Sequence, residues 1–165
     1  MMHDIDRNRQ LIFVAVSIAA TLTYLLGLHL QGGGMSPWWC SLVYQWCHCN
    51  VWHLLANIYC IWMLARSKFR VGGRHVVYSY FISIAAVFFS TETQGLSGII
   101  YALLGMLSWQ SAQIRTYHLW MLGFLMLGLI LPNVNFTLHL LCYGAGLIIE
   151  MFHTPWRMRL EKYWS

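Results

Sequence analysis

All ten lysine and arginine residues of this 165-residue chain fall in four of the seven segments that separate or flank its apolar runs. Six runs are read: Leu11 to Leu30, Trp52 to Ala65, Val76 to Ser90, Leu96 to Trp109, Leu119 to Leu131 and Leu138 to Phe152. Threaded with the N-terminus inside, the bases lie in the N-terminal tail (Arg7, Arg9), the second-to-third loop (Arg66, Lys68, Arg70, Arg74), the fourth-to-fifth loop (Arg115) and the C-terminal tail (Arg157, Arg159, Lys162). The other three loops, Gln31–Cys49, Thr91–Gln94 and Pro132–Thr137, carry none. Positive charge retained on the inner side is the ordinary topology signal of membrane proteins. One span more or fewer scrambles it. The chain is expected to be an all-α membrane protein, a bundle of six transmembrane helices in one domain over residues 1–165, with N-terminus and C-terminus cytoplasmic.

Several runs fall short of the about 20 residues that cross a bilayer core. Short, polar-headed spans are expected where part of a helix faces a water-filled cavity. The first run is long for a signal sequence and is followed by Gly32-Gly33-Gly34 instead of a small-residue cleavage site, so it reads as a retained helix.

Composition excludes the soluble classes. Charged residues make up 9% of the chain and hydrophobic ones 59%, against about 25% charged in a typical soluble domain. The net charge of +5 is dispersed between apolar runs and forms no patch, so no nucleic-acid partner is expected. The five cysteines, Cys40, Cys47, Cys49, Cys60 and Cys142, have neither the number nor the spacing of a disulfide framework. A pairing of Cys40 with Cys47 or Cys49 in the first outer loop is the one disulfide considered.

Polar side chains inside spans are costly and usually functional or paired. Three clusters stand out. The second span opens with His48-Cys49-Asn50-Val51-Trp52-His53 and continues to Asn57; the fourth opens with Gly95-Leu96-Ser97-Gly98; the sixth opens with Leu138-His139. All three spans begin outside and descend inward. At 1.5 Å per residue, the three clusters sit at one shallow depth.

A serine hydroxyl attacks only when a base takes its proton. Ser97, flanked by glycines at a helix N-terminus, is the candidate nucleophile, and His139 the candidate base. His53 and Asn57, four residues apart, share one helix face and are placed to donate to an oxyanion. Apart from Glu92 in an outer loop, no carboxylate lies near this depth, so a dyad is expected in place of a triad. The competing readings are a serine bonded to its own helix, a histidine at an interface, glycines that let helices pack, and an asparagine that joins helices. Each is the simpler account of its residue alone; the shared depth favours one site. A metal or haem site of His48, His53, Cys47, Cys49 and His139 leaves Ser97 and its glycines unexplained. No Cys-x-x-Cys or His-x-x-x-His pair occurs, and no metal or cofactor is expected.

The chain resembles the rhomboid intramembrane serine proteases. His48, His53 and Asn57 match the family's second-helix pattern, Gly95 through Gly105 its fourth-helix signature, and His139 with Gly146 its sixth helix. The resemblance implies Ser97 as nucleophile and His139 as general base. It implies an oxyanion hole of His53, Asn57 and the Ser97 N–H, with Tyr101 orienting His139 and His48 supporting the cavity mouth. Gly95 and Gly98 belong to the same motif. Implied partners are the lipid bilayer and substrates that are transmembrane segments of other proteins, cut near the extracytoplasmic face. The setting expected is multi-pass insertion in a bacterial inner (plasma) membrane. Two rivals are a non-proteolytic rhomboid-like protein that binds client helices and a rhombosortase-like enzyme that processes C-terminal signals. Cys142 departs from the family, which often has glycine three residues after the catalytic histidine. Either Gly144 compensates or helices four and six sit further apart. The first outer loop is also short, with Trp38, Trp39 and Trp46 suited to a membrane interface.

Overall fold

The structure, a computed structural model, describes residues 2–131 and 134–153, with side chains from Gln10 onward. Arg157, Arg159 and Lys162, on which the inner placement of the C-terminus rests, and Pro132 of the last outer loop lie outside the described residues. The described residues form six α-helices: α1 (Met2–Leu25), α2 (Val51–Arg66), α3 (Gly73–Val87), α4 (Ser97–Leu107), α5 (Ile114–Ile130) and α6 (Phe136–His153). Short 3-10 turns cover Trp38–Leu42, Tyr44–Trp46 and Ser108–Gln110. No strand occurs among the described residues; one isolated antiparallel bridge pairs Gly32 with Thr93.

The helix ends follow local chemistry. α1 stops at Leu25, five residues before its apolar run ends, because Gly27 takes φ +67°. Gly27 N–H then bonds Tyr24 O at 3.0 Å and Leu28 N–H bonds Thr23 O at 3.1 Å, the pairing by which a left-handed glycine closes a helix. Asn50 starts α2 by accepting the His53 N–H at 2.9 Å, and Asn135 starts α6 by accepting the Leu138 N–H at 3.0 Å, as N-terminal capping residues do.

α4 is the centre of the bundle. It packs most extensively on α6, then on α3, with α2 alongside. Its eleven residues span only about 16 Å at 1.5 Å per residue, too short to cross about 30 Å of hydrocarbon. Among the described residues, only α6 is long and apolar enough to cross a membrane by itself; Gln10–Leu25 and α5 are shorter apolar helices.

The core is mainly apolar, but it also takes in polar side chains while large apolar ones stay exposed. Gln45, His48, Ser79, Ser83 and Ser108 are fully buried, while Leu25, Trp52, Leu119, Phe124, Ile130 and Phe152 face outward. Close helix contact is made by glycine. A Cβ at Gly105 would stand 2.2 Å from Tyr143 O on α6, and one at Gly146 would stand 2.2 Å from Ala102 O on α4. Gly144 meets nothing within 4 Å. The expectation that Gly144 offsets Cys142 is thus corrected: Gly144 turns away from α4, whereas Cys142 is fully buried and the Gly105–Gly146 pair brings the helices together.

The first outer loop lies across the α3–α4 connection. Gly32 and Thr93 exchange backbone bonds of 2.9 and 3.0 Å, and Gly95 N–H bonds Tyr44 O at 3.0 Å. Tyr44 is fully buried, with its hydroxyl 2.5 Å from Ser83 Oγ; burial raises that phenol's pKa, so it stays neutral. Trp38 and Trp39 are exposed as expected of interface residues. Trp46 differs: it packs on the core, and its carbonyl accepts from Thr23 Oγ1. The cysteines are all free thiols, Cys40 and Cys47 buried and Cys49 exposed, so no pair closes this loop.

Candidate active site

Ser97, His139, His53, Asn57 and Tyr101 all line one cavity of about 510 Å3. α4 supplies Ser97 and Tyr101, α6 supplies His139, and α2 supplies His53 and Asn57. The fold thus brings three segments distant in sequence to one cavity.

Ser97 is the first residue of α4 and half-buried. No side chain caps this helix, so its first N–H groups and the positive end of its dipole are available to negative charge. Gly98 gives Ser97 its seat. A Cβ there would stand 2.5 Å from Ser83 Oγ and 3.2 Å from the Tyr44 hydroxyl, so a larger residue would lift the turn.

His139 is buried in the first turn of α6. Its ring stacks on Tyr101, with centroids 4.1 Å apart and planes 14° from parallel. Its Nδ1 has no hydrogen-bond partner among the described residues. Glu92 stands exposed, with Oε1 3.5 Å from Ser36 Oγ, and does not line this cavity. No hydrogen bond joins Ser97 to His139 among the described residues; in unliganded sites such bonds are often long and tighten with substrate.

Opposite them, Gly95 adopts φ +100°, a backbone state that favours glycine. The position is closed to side chains on steric grounds as well. A Cβ would lie 2.7 Å from His53 Cε1, 3.0 Å from His53 Nε2 and 3.1 Å from Asn57 Nδ2. Both nitrogens therefore press on the backbone two residues before Ser97. Asn57 is buried and its Nδ2 has no acceptor among the described residues. The expectation that His48 supports the cavity mouth is corrected: it lines neither the cavity nor its mouth, being fully buried with its ring edge-on to His53 at 5.3 Å.

The cavity has two sides. Gln31, Glu92, Thr91 and Asn135 form a polar mouth of about 330 Å3 that shares His53, Thr93 and Gln94 with it. The opposite wall is apolar: Ala56 and Cys60 from α2 face Phe124, Leu127 and Gly128 from α5 and Leu131 just after it. α5 packs on α6 and the Ser108–Gln110 turn, and is tied at its inner end, where the Tyr117 hydroxyl donates to Leu104 O at 2.8 Å and His118 Nδ1 lies 2.6 Å from the Tyr143 hydroxyl.

Some residues that build the site carried no chemical motif. Tyr44 holds the loop before Ser97 by its carbonyl. Asn135 caps the His139 helix and also donates Nδ2 to Thr91 O at 3.0 Å. Gln94 lines the cavity with its Oε1 buried and unpartnered among the described residues. Asn135 was findable as a capping residue just ahead of an apolar run; Tyr44 and Gln94 had no signal in one sequence. Among the described residues, no three His, Cys, Asp or Glu side chains are grouped to hold a metal.

A search of curated proteins gave no match. The family model described as Rhomboid domain matches residues 35–154, well over half of the chain and all of α2 to α6. The family consists of membrane proteins that are generally intramembrane serine proteases. With five of its six helices inside that match, the chain belongs to the rhomboid family.

Proposed function

We propose that this protein is an intramembrane serine endopeptidase that cuts transmembrane segments of other proteins near the extracytoplasmic face, using Ser97 and His139 as a dyad. The observation that carries the reading is Asn57. Its Nδ2 is a buried donor with no acceptor among the described residues, in the cavity that Ser97 and His139 line. An unmet buried donor costs about 1–3 kcal/mol. Such a cost is reasonable where an acceptor forms during reaction, as an oxyanion does.

The chemistry divides as follows. Ser97 Oγ attacks the scissile carbonyl carbon and its proton passes to His139. The carbonyl oxygen becomes an oxyanion held by Asn57 Nδ2–H, His53 and the Ser97 N–H at the start of α4. Collapse expels the amine, which takes the proton from His139, and leaves an acyl ester on Ser97. Water from the polar mouth then attacks the ester, with His139 again taking the proton; the acyl–Oγ bond breaks, His139 returns the proton to Ser97 Oγ, and the carboxylic acid product leaves. No metal or organic cofactor takes part.

In this reading six spans cross a bacterial inner membrane with both termini in the cytoplasm, so the polar mouth faces outward. The apolar wall between α2 and α5 suits a substrate helix arriving from lipid. α5, held at its inner end, is the candidate gate. The Pro132–Thr137 loop is the other, although Pro132 and Asn133 lie outside the described residues. Labelling tests the dyad: a fluorophosphonate or isocoumarin should modify Ser97 in the native chain and not in His139→Ala. Equal labelling of both overturns the role of His139.

A further inference from the structure

We infer that Cys49 is a positioning residue: it fixes the tautomer of His53 so that His53 Nε2 carries the proton offered to the oxyanion. The inference rests on the hydrolase reading above for its catalytic consequence, though not for its geometry.

Three side chains at the start of α2 form a directed chain of hydrogen bonds. Asn50 Oδ1 accepts the His53 backbone N–H at 2.9 Å. That bond fixes which way the amide points, because a backbone N–H requires an acceptor. The other amide atom, Nδ2, lies 3.3 Å from Cys49 Sγ. Nδ2 can only donate, so the sulfur accepts there. Cys49 Sγ is also 3.5 Å from His53 Nδ1. The contact fits either tautomer of the ring; in the inferred arrangement the thiol, already accepting from Asn50, donates its one proton to Nδ1. A neutral imidazole whose Nδ1 accepts has its proton on Nε2.

Nε2 is the atom the reaction needs. A Cβ at Gly95 would stand 3.0 Å from it and 3.1 Å from Asn57 Nδ2. The two nitrogens therefore flank the same stretch of backbone, on the side of the cavity lined by Ser97. With the opposite tautomer Nε2 would present a lone pair, which repels an oxyanion. His48 is the other titratable ring against His53, in edge contact at 5.3 Å. The thiol's proton sets the direction of the chain from Asn50 to Nε2; an alanine at 49 leaves His53 free to populate both tautomers.

The test combines a spectroscopic and a kinetic measurement on the full chain in detergent micelles. 15N NMR of histidine-labelled protein reports the protonated ring nitrogen of His53, assigned by its loss in His53→Gln. The rate at which a fluorophosphonate modifies Ser97 reports the oxyanion hole. The native chain and Cys49→Ser, which keeps a donor, should show Nε2 protonated and similar rates. Cys49→Ala should add a signal from the Nδ1-protonated tautomer and slow modification in proportion to the Nε2-protonated fraction lost, about twofold where the two tautomers are equally populated. Nδ1 protonated in the native chain, an unchanged rate in Cys49→Ala, or a Cys49→Ser variant as slow as Cys49→Ala overturns the inference. If the native chain is not modified at Ser97 at all, the hydrolase reading fails, and the NMR tautomer alone decides the role of Cys49.

Discussion

The imidazole of His139 lies flat on the ring of Tyr101, centroids 4.1 Å apart and planes 14° from parallel. Tyr101 is one helical turn beyond Ser97 on α4. The helix that carries the proposed nucleophile therefore also carries the ring against which the proposed base is stacked. Among the described residues, no hydrogen bond of the Tyr101 hydroxyl accompanies the stack. Tyr101→Phe should keep kcat near the native value. Tyr101→Ala should lower kcat by roughly two- to tenfold with little change in KM, the kinetic equivalent of about 0.5–1.5 kcal/mol for an aromatic pair. Steady-state cleavage of a transmembrane peptide checks this; equal losses in both variants would assign the effect to the hydroxyl.

The contact of α4 with α6 sets how close Ser97 comes to His139. Gly105 and Gly146 leave no room for a methyl group, each Cβ position lying 2.2 Å from a backbone carbonyl across the interface. Gly105→Ala should destabilise the fold by about 1–3 kcal/mol, the usual cost of overpacking, and lower activity with it. Gly144→Ala should leave stability within about 0.5 kcal/mol of native, since its Cβ position is open. Thermal unfolding in micelles separates the two; a severe loss in Gly144→Ala would contradict the assigned packing faces.

Near the start of α3 and the end of α6, Arg74 Nη2 meets Glu150 Oε1 at 2.6 Å, joining the two helices. The Glu150 side chain is 7% exposed and that of Arg74 43%. His75 Nε2 stands 3.8 Å from the second carboxylate oxygen. Removing the arginine strands a buried charge. Arg74→Ala should cost about 1–3 kcal/mol, less than a fully buried pair because Arg74 remains half in solvent. Adding Glu150→Gln should recover most of the loss. A denaturation cycle over the two single variants and the double variant measures the coupling; strict additivity would show that the pair contributes nothing.

Much of this architecture was legible because periodic apolar runs and segregated charge are local signals. The six runs correspond to six helices, and the order of Ser97, His139, His53 and Asn57 along alternating spans anticipated one shared cavity. What was not legible depended on contacts between segments far apart in sequence. Tyr44 looks like any loop aromatic until its carbonyl is seen holding Gly95. Gly144 and Gly146 are indistinguishable by type; only the rotation of α6 shows which one faces α4. The apolar run through Leu30 concealed a stop at Leu25, because the left-handed turn at Gly27 outweighs the continuing hydrophobicity.

The central claim is that Ser97 cleaves a transmembrane segment. Purified native protein and Ser97→Ala, reconstituted in liposomes with a model single-span substrate, give the most direct measurement. The account predicts a discrete cut near the substrate's outer end with the native protein and none with Ser97→Ala. Cleavage that persists in Ser97→Ala, or its absence from the native protein across several substrates, would contradict it.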